Sequence, residues 1–305
     1  VSPYYKFVYI IGDFTSATVT FDTVTLVNAS SSRDNFVMKY NETGSVSWAN
    51  QITGTDNEYG CFIAVDWKEN VYVTGQFESG VCSFDSLQLL NSSSSKEVYL
   101  VSYDYYGNVN WVNGMFGEND DIVYSITSDM SNGVYICGWF NSYSLTVGND
   151  VLSTNGGYDI FISKFDFSGN YYWTKQCGNS DNDYAECLIS DQTGNLYVTG
   201  VFNSSELDFD SITLTNSGSD DIYIGKLAVN TTSLYTYEEA GFTSPFYPNP
   251  ASETIYTNRI STIRIYSCNG RPVFDSGSDK IDVSGLKNGL YIICIDGRYY
   301  KFVKM

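Results

Sequence analysis

The chain has 305 residues, which is enough for two domains of ordinary size. Its formal net charge of −19 argues against nucleic acid as a partner, because such binding needs clustered Lys and Arg. It contains no histidine, which removes Ser-His-Asp and Cys-His nucleophile schemes and the common histidine metal sites. No apolar run approaches the roughly 18 residues of a membrane-spanning helix, so we expect no membrane-spanning segment.

The charge changes sign along the chain. Residues 243–305 carry eight Lys and Arg against five Asp and Glu, which leaves eight against thirty in residues 1–242. We therefore predict a repeat domain over residues 1–236, a linker over 237–244 and a second domain over 245–305.

The N-terminal part is predicted to be all-β, with almost no helix. It is rich in Tyr, Phe, Val, Thr and Ile, and no long run shows the 3.6-residue period of an amphipathic helix. The phrase VYIIGDF near residue 8 returns as VYVTGQF near 71, VYICGWF near 134 and LYVTGVF near 196, a period of 62–63 residues.

Each repeat is interpreted as two hairpins, which makes four strands. In one unit SITSD and VYICGWF form the first hairpin, and DIFISKFD and YYWTKQ form the second. Their turns contain Gly and Asn, which tolerate positive φ. Four-stranded sheets that repeat, none able to bury both faces alone, are typical of propeller blades.

The pattern D-x-F-x-x-K-x-D-x-x-G-N-x-x-W, followed by V-Y-V-T-G-x-F, resembles the β-propeller repeats of large secreted bacterial proteins. The resemblance covers residues 8 to about 236 and implies a propeller in an extracellular setting, not an activity. The fold class of this part is thus predicted as an all-β, propeller-like array of about four four-stranded repeats.

Two repeats depart from the pattern. The first begins at VYIIGDF without the preceding inner strand, and the last has Leu234 to Tyr237 in place of the tryptophan segment. We expect either that upstream blades are missing or that the repeats form an open, curved stack.

The C-terminal segment contains, in this order, Tyr247, Pro248, Asn249, Pro250, Gly270, Gly289, Tyr291, Lys301 and Lys304. At these positions it resembles the small type A sorting domain of type IX secretion in Bacteroidota. The resemblance implies an immunoglobulin-like sandwich that engages the secretion machinery and crosses the outer membrane of a Gram-negative bacterium. A surface peptidase then usually removes it, and the passenger is released or anchored. The simpler alternative is that these Pro and Gly residues only shape turns.

Acidic residues recur in the loops between repeats, and we hypothesise that they bind Ca²⁺, which prefers several oxygen ligands. The candidates are Asp56, Glu58, Asp121, Asp181 and Asp183. The alternative is that they shape turns by bonding their own backbone. No other cofactor is expected.

The seven cysteines contain no CxxC pair and fit no zinc spacing. Cys137 and Cys294 lie in apolar strand patterns and are predicted to be buried thiols. Cys177 and Cys187, on either side of an Asn/Asp loop, are the candidate disulfide.

Together these features predict a secreted or cell-surface binding or adhesion scaffold that is not an enzyme. Its extracellular ligand is unknown, a glycan or a protein. Trp67, Trp139, Tyr105 and Tyr106 are candidates for stacking on sugars, or else ordinary packing residues. The alternatives are a structural spacer within a larger surface protein and a polysaccharide-active enzyme. The enzyme would need an acidic pair unique to one repeat, and we identify no such pair in the sequence.

Overall fold

A computed structural model describes most of the N-terminal part and shorter segments of the C-terminal part. The described residues are 7–28, 30–129, 131–191, 195–210, 212–228, 246–247, 253–257, 263–267, 272–276, 280–295 and 298–304. The regular elements in these ranges are β-strands paired antiparallel, which confirms the all-β prediction. Among these residues no helix has the length and apolar character needed to span a membrane.

The chain divides into two compact units, Val1–Asn230 and Thr231–Met305. The predicted linker over residues 237–244 lies outside the described residues, and the predicted domain limits of 236 and 245 stay predictions. The segment from Leu234 to Tyr237, where the last repeat loses its tryptophan, also lies outside them.

The first unit contains strands β1 to β22. They are β1 (Val8–Phe14), β2 (Thr18–Phe21), β3 (Val24–Val27), β4 (Asp34–Tyr40), β5 (Val46–Thr53), β6 (Glu58–Val65), β7 (Val71–Phe77), β8 (Val81–Phe84), β9 (Leu87–Leu90), β10 (Glu97–Tyr103), β11 (Val109–Phe116), β12 (Asp121–Ser128), β13 (Val134–Phe140), β14 (Leu145–Val147), β15 (Asp150–Leu152), β16 (Asp159–Phe165), β17 (Tyr171–Cys177), β18 (Asp183–Ser190), β19 (Asn195–Phe202), β20 (Glu206–Phe209), β21 (Ile212–Thr215) and β22 (Asp221–Ala228).

Each repeat builds one antiparallel sheet, which we call a blade. The third blade has the order β12-β13-β16-β17, and the second has β6-β7-β10-β11. These are the four strands predicted from the two hairpins of the repeat. The first blade contains β1-β4-β5 and the fourth β18-β19-β22, so β1 is an edge strand among the described strands. The inner strands β6, β12 and β18 contact one another in succession, which places the blades side by side.

A further hairpin lies between the second and third strands of each blade and was not predicted. These hairpins are β2-β3, β8-β9, β14-β15 and β20-β21. Two of them extend the preceding blade: β8 pairs with the outer strand β5 through Ile52 and Phe84, and β14 pairs with β11 through Met115 and Val147. The second and third repeats therefore contain six strands each, and their extra hairpins pair with the preceding blade, whereas β2-β3 and β20-β21 form separate two-stranded sheets among the described strands.

The hydrophobic core of the first unit lies between blades. Successive side chains of a strand point to opposite faces, so β13 presents Val134 and Ile136 to the second blade and Tyr135 and Cys137 to the fourth. A sheet covered on both faces has no polar side, and every residue of β7 is accordingly buried.

The second unit contains seven strands. They are β23 (Phe246–Tyr247), β24 (Thr254–Thr257), β25 (Ile263–Ser267), β26 (Pro272–Ser276), β27 (Lys280–Asp282), β28 (Gly289–Ile295) and β29 (Arg298–Lys304). They form the sheets β23-β24-β27 and β26-β25-β28-β29. An apolar cluster that includes Ile255 and Ile281 from the first sheet and Ile263 and Ile293 from the second packs between them. The immunoglobulin-like class stays a prediction.

The predicted disulfide is wrong, because Cys177 and Cys187 are both free. Cys177 lies on the outer strand of the third blade, whereas Cys187 lies on the inner strand of the fourth, which packs against the inner strands of the third. Strands in a sheet are about 4.8 Å apart, so the width of a blade separates the two thiols. Cys137 is fully buried, as predicted, and the side chain of Cys294 lies outside the described residues.

Candidate functional site

The acidic residues predicted to bind calcium belong to a hydrogen-bonded loop that recurs in successive blades. At the start of the third blade, Ser142 Oγ donates to Asp121 Oδ2 at 2.9 Å, and the backbone N–H of Asn141 donates to Oδ1 at 3.0 Å. The backbone N–H of Asn119 in turn donates to Ser142 Oγ at 3.0 Å. The buried carboxyl thereby holds the loop that precedes its own strand.

The same arrangement is present in the second and fourth blades. Ser79 donates to Glu58 and receives the backbone N–H of Asp56 at 2.8 Å. Ser204 Oγ donates to Asp183 Oδ2 at 2.8 Å and receives the backbone N–H of Asp181 at 3.0 Å. The side chains of Asp56 and Asp181 are exposed. The structure therefore gives these residues positions that shape the loops.

Burial changes the protonation of two of these carboxyls. Desolvation is the main cause that raises the pKa of Glu58 to about 8 and that of Asp121 to about 7. The hydrogen bonds from Ser79 and Ser142 lower these pKa values, but by less than desolvation raises them. A protonated carboxyl is a poor ligand for a hard cation. Within the described part of the chain, no group of three or more acidic or cysteine side chains is arranged to hold a metal ion. The calcium hypothesis stays a prediction.

An aromatic cluster at one end of the third blade does not follow the repeat. The ring centroids of Trp139 and Tyr158 are 4.3 Å apart, and Tyr184 lies 6.2 Å from Trp139 and 5.8 Å from Tyr158. All three side chains are half-buried. The positions equivalent to Trp139 in the other blades are occupied by Asp13, Gln76 and Val201. The sequence showed the tryptophan but not its neighbours, because Tyr158 lies just before β16 and Tyr184 lies on β18 of the next blade.

A hollow of about 460 Å³ lies beside Trp139 and Tyr158, and its other walls are polar. Glu118 and Asp120 line it from the loop before β12. Glu118 Oε2 accepts the backbone N–H of Ser144 at 3.1 Å, and Asp120 Oδ1 accepts that of Lys96 at 2.9 Å. The second oxygen of each carboxylate accepts no hydrogen bond from the residues that the structure describes. We call Trp139, Tyr158, Tyr184, Glu118 and Asp120 the aromatic–acidic site.

The other aromatic candidates lie elsewhere. Tyr105 packs over the ammonium group of Lys39 at 3.2 Å, and its carbonyl accepts the indole N–H of Trp48 at 3.1 Å, so it serves packing between blades. Trp67 and Tyr106 are exposed, and neither lines the hollow beside Trp139.

The predicted sorting residues are only partly described. Tyr247 is on β23, Gly289 and Tyr291 are on β28, and Lys301 and Lys304 are on β29. Tyr291 Oη donates to the carbonyl of Lys287 at 2.9 Å, and Lys304 is buried. Pro248, Asn249, Pro250 and Gly270 lie outside the described residues. The role of these residues in sorting stays a prediction.

Comparison with known families identifies the C-terminal part. Residues 245–305 match the family described as secretion system C-terminal sorting domain. The chain thus carries the sorting domain of type IX secretion, which marks it as secreted or cell-surface and implies contact with that machinery.

Relatives of the repeat domain include proteins of very different origin. The chain is 27% identical over 268 residues to the uncharacterized WD repeat-containing protein L264 of Acanthamoeba polyphaga mimivirus, a match that covers 72% of this chain and 19% of the relative. It is 27% identical over 161 residues to the regulatory protein FlaEY of Caulobacter vibrioides, covering 50% of this chain and 16% of the relative. The chain thus spans less than a fifth of either relative. The blades and the WD-repeat similarity together place the array among propeller-like β-repeat proteins.

Proposed function

We propose that this protein is a binding or adhesion scaffold carried across the outer membrane of a Gram-negative bacterium by type IX secretion, and that its ligand is a carbohydrate. The observation that carries the proposal is the aromatic–acidic site, which occurs once in an otherwise repetitive array. A structural spacer would need no such departure from the repeat.

Carbohydrate suits the chemistry of this site. The apolar C–H face of a sugar ring packs on an aromatic ring such as that of Trp139, while its hydroxyl groups need hydrogen-bond acceptors nearby. Glu118, Asp120 and Asn141 line the hollow together with the rings, and each carboxylate keeps one oxygen that accepts no hydrogen bond from the described residues. Pre-positioned aromatic and polar groups around a hollow are the usual composition of a small-ligand site.

A polysaccharide-active enzyme is the second candidate, because Glu118 and Asp120 form an acidic pair that the other loops lack. The equivalent residues are Thr55 with Asn57 and Ser180 with Asn182. A glycosidase acid needs surroundings that keep its proton on at neutral pH, usually an apolar pocket. Both carboxylates are exposed, and neither lies in an apolar pocket. Binding without catalysis is therefore the proposed role.

The test is binding of the full chain to an array of bacterial and host glycans. Trp139→Ala should lower the affinity for any bound glycan by about tenfold or more, because it removes the central ring of the site. Tyr106→Ala removes an exposed aromatic residue elsewhere and should leave the affinity unchanged. Equal binding by both variants would exclude this site. Absence of glycan binding by the natural chain would favour the spacer, and release of labelled sugar would favour the enzyme.

A further inference from the structure

The outward face of the fourth blade exposes apolar residues whose equivalents are buried in every other blade. Ile222 and Ile224 on β22 are 79% and 81% exposed. At the position of Ile222 the other blades have Asn35, Val98 and Ile160, and at that of Ile224 they have Val37, Leu100 and Ile162, all at most 2% exposed. We call this outward surface, defined by Ile222 and Ile224, the C-face.

The outward face of the first blade, at the other end of the array, also exposes apolar residues whose equivalents are buried in the other blades. Val8 and Ile10 on β1 are 36% and 39% exposed. Their equivalents in the other three blades are Val71 and Val73, Val134 and Ile136, and Leu196 and Val198, all at most 1% exposed. We call this surface, defined by Val8 and Ile10, the N-face.

The turn at Gly44 is a second feature of the N-face, because in later blades the equivalent turn is covered by a tryptophan. In the second and third blades, the tryptophan of the preceding blade packs on the turn that contains Gly107 or Gly169. A Cβ added to Gly107 would lie 2.8 Å from Trp48, and a Cβ added to Gly169 would lie 2.6 Å from Trp111. The indole N–H groups of Trp48 and Trp111 also bond carbonyls of these turns, at 3.1 and 3.0 Å. The equivalent Gly44 of the first blade also has a positive φ, but no atom of the described residues lies within 4 Å of such a Cβ. The N-face thus has the apolar strand and the turn with which later blades receive the blade before them.

We propose that the C-face of one copy packs on the N-face of a second copy, so that the chain assembles head to tail. The apolar strand positions on the two surfaces are equivalent to those that meet wherever successive blades pack within the chain. The proposed association repeats this apolar packing between copies. An interface between unlike surfaces of identical chains closes into a ring or grows into a filament, according to the rotation between copies.

The charge of the chain predicts how salt affects this association. Copies that each carry a net charge of −19 repel one another, while the surfaces that meet are apolar. Salt screens repulsion between exposed charges. The association should therefore strengthen as salt rises, whereas an interface built on ion pairs would weaken.

The experiment is sedimentation of the full chain from low to high micromolar concentration, at low and high salt. The natural chain should form dimers or longer assemblies in a concentration-dependent way. Ile224→Asp removes the C-face and Ile10→Asp removes the N-face, and each variant alone should be monomeric. Mixed together they should form a one-to-one dimer, because each still has one intact face. Val151→Asp, at an exposed position on the hairpin of an interior blade, should assemble as the natural chain does.

Three results would overturn the proposal. The natural chain could stay monomeric at every concentration and salt, with β22 unprotected in hydrogen exchange. It could be monomeric with β22 protected, which would show that its own chain covers the C-face. The two face variants could also fail to associate when mixed. Circular dichroism and melting of each variant check folding, which the exposed position of Ile224 should preserve.

Discussion

Tyr9 Oη donates a 2.6 Å hydrogen bond to Glu69 Oε2, and the two residues belong to neighbouring blades. In the later blades the equivalent tyrosine bonds an aspartate of its own blade: Tyr72 bonds Asp66 at 2.9 Å and Tyr135 bonds Asp129 at 2.8 Å. That aspartate follows the inner strand, which the first blade lacks among the described strands. Glu69, 1% exposed and in the left-handed conformation at φ 62°, supplies the acceptor instead.

Replacing Tyr9 with Phe should therefore destabilise the contact between the first two blades. The change removes a buried hydrogen bond to a carboxylate and should lower the free energy of unfolding by about 1–3 kcal/mol. Urea denaturation followed by tryptophan fluorescence measures it, since Trp48 packs beside Tyr9. Tyr106→Phe, at a 75% exposed position, is the control. Equal midpoints for the two variants would show that the hydrogen bond contributes nothing.

Two glycine substitutions separate backbone strain from packing. Gly44 and Gly107 have φ of 80° and 90°, so alanine at either should cost about 1 kcal/mol of stability. At Gly107 the new methyl group would also meet Trp48, which should add about 1–3 kcal/mol. Thermal unfolding of both variants as dilute monomers should thus give a lower midpoint for Gly107→Ala. The same midpoint for both would mean that Trp48 does not pack on this turn as described.

The buried carboxyl of Glu58 should make stability depend on pH. Its pKa is raised from 4.5 to about 8 in the folded state, mainly by desolvation. Between these values the unfolded chain loses a proton that the folded chain keeps, so this group's contribution to stability falls as pH rises from about 4.5 to about 8. Glu58→Gln cannot ionise and should flatten this part of the profile. Urea midpoints from pH 5 to 8 measure it, with the exposed Glu42→Gln as control; an unchanged slope for Glu58→Gln would contradict the prediction.

Calcium should have little effect on the folded repeat domain. The hydroxyl groups of Ser79, Ser142 and Ser204 each donate a hydrogen bond to one of the buried carboxyls, and an ion bound at that oxygen would have to displace it. We therefore expect the melting midpoint to be the same with millimolar Ca²⁺ and with a chelator. A midpoint that rises with Ca²⁺, and no longer does so in Asp181→Asn, would instead assign the loops a ligand role.

Removal of residues 245–305 should prevent export. The sorting domain occupies this range, and the passenger has no other means of engaging the type IX machinery under this proposal. Cell fractionation in a strain with the secretion system should find the natural chain outside or on the surface and the shortened chain inside. Tyr106→Ala should be exported normally. Export of the shortened chain would show that the signal lies elsewhere.

Much of the blade architecture could be predicted because its signals are local. The alternation of apolar residues around Val134 to Phe140 and the Gly and Asn turns specify strands and hairpins within about 30 residues. The added hairpins were missed because they are short, such as Leu145–Val147, and because two of them pair with a strand of the preceding repeat. The disulfide prediction failed for the same reason, since spacing along the chain did not reveal that Cys177 and Cys187 lie in different sheets.

The sequence by itself determined the period, the all-β class, the sorting domain and the acidic character of the array. These depend on residue types and short-range order, which a repeat displays several times over. Only the tertiary structure decided that Trp139, Tyr158 and Tyr184 meet beside one hollow, that Glu69 serves Tyr9, and that Ile222 and Ile224 face solvent. Each of these features depends on which blade covers which face of its neighbour. The same repeat sequence is therefore buried between two blades in the middle of the array and exposed on one face at either end.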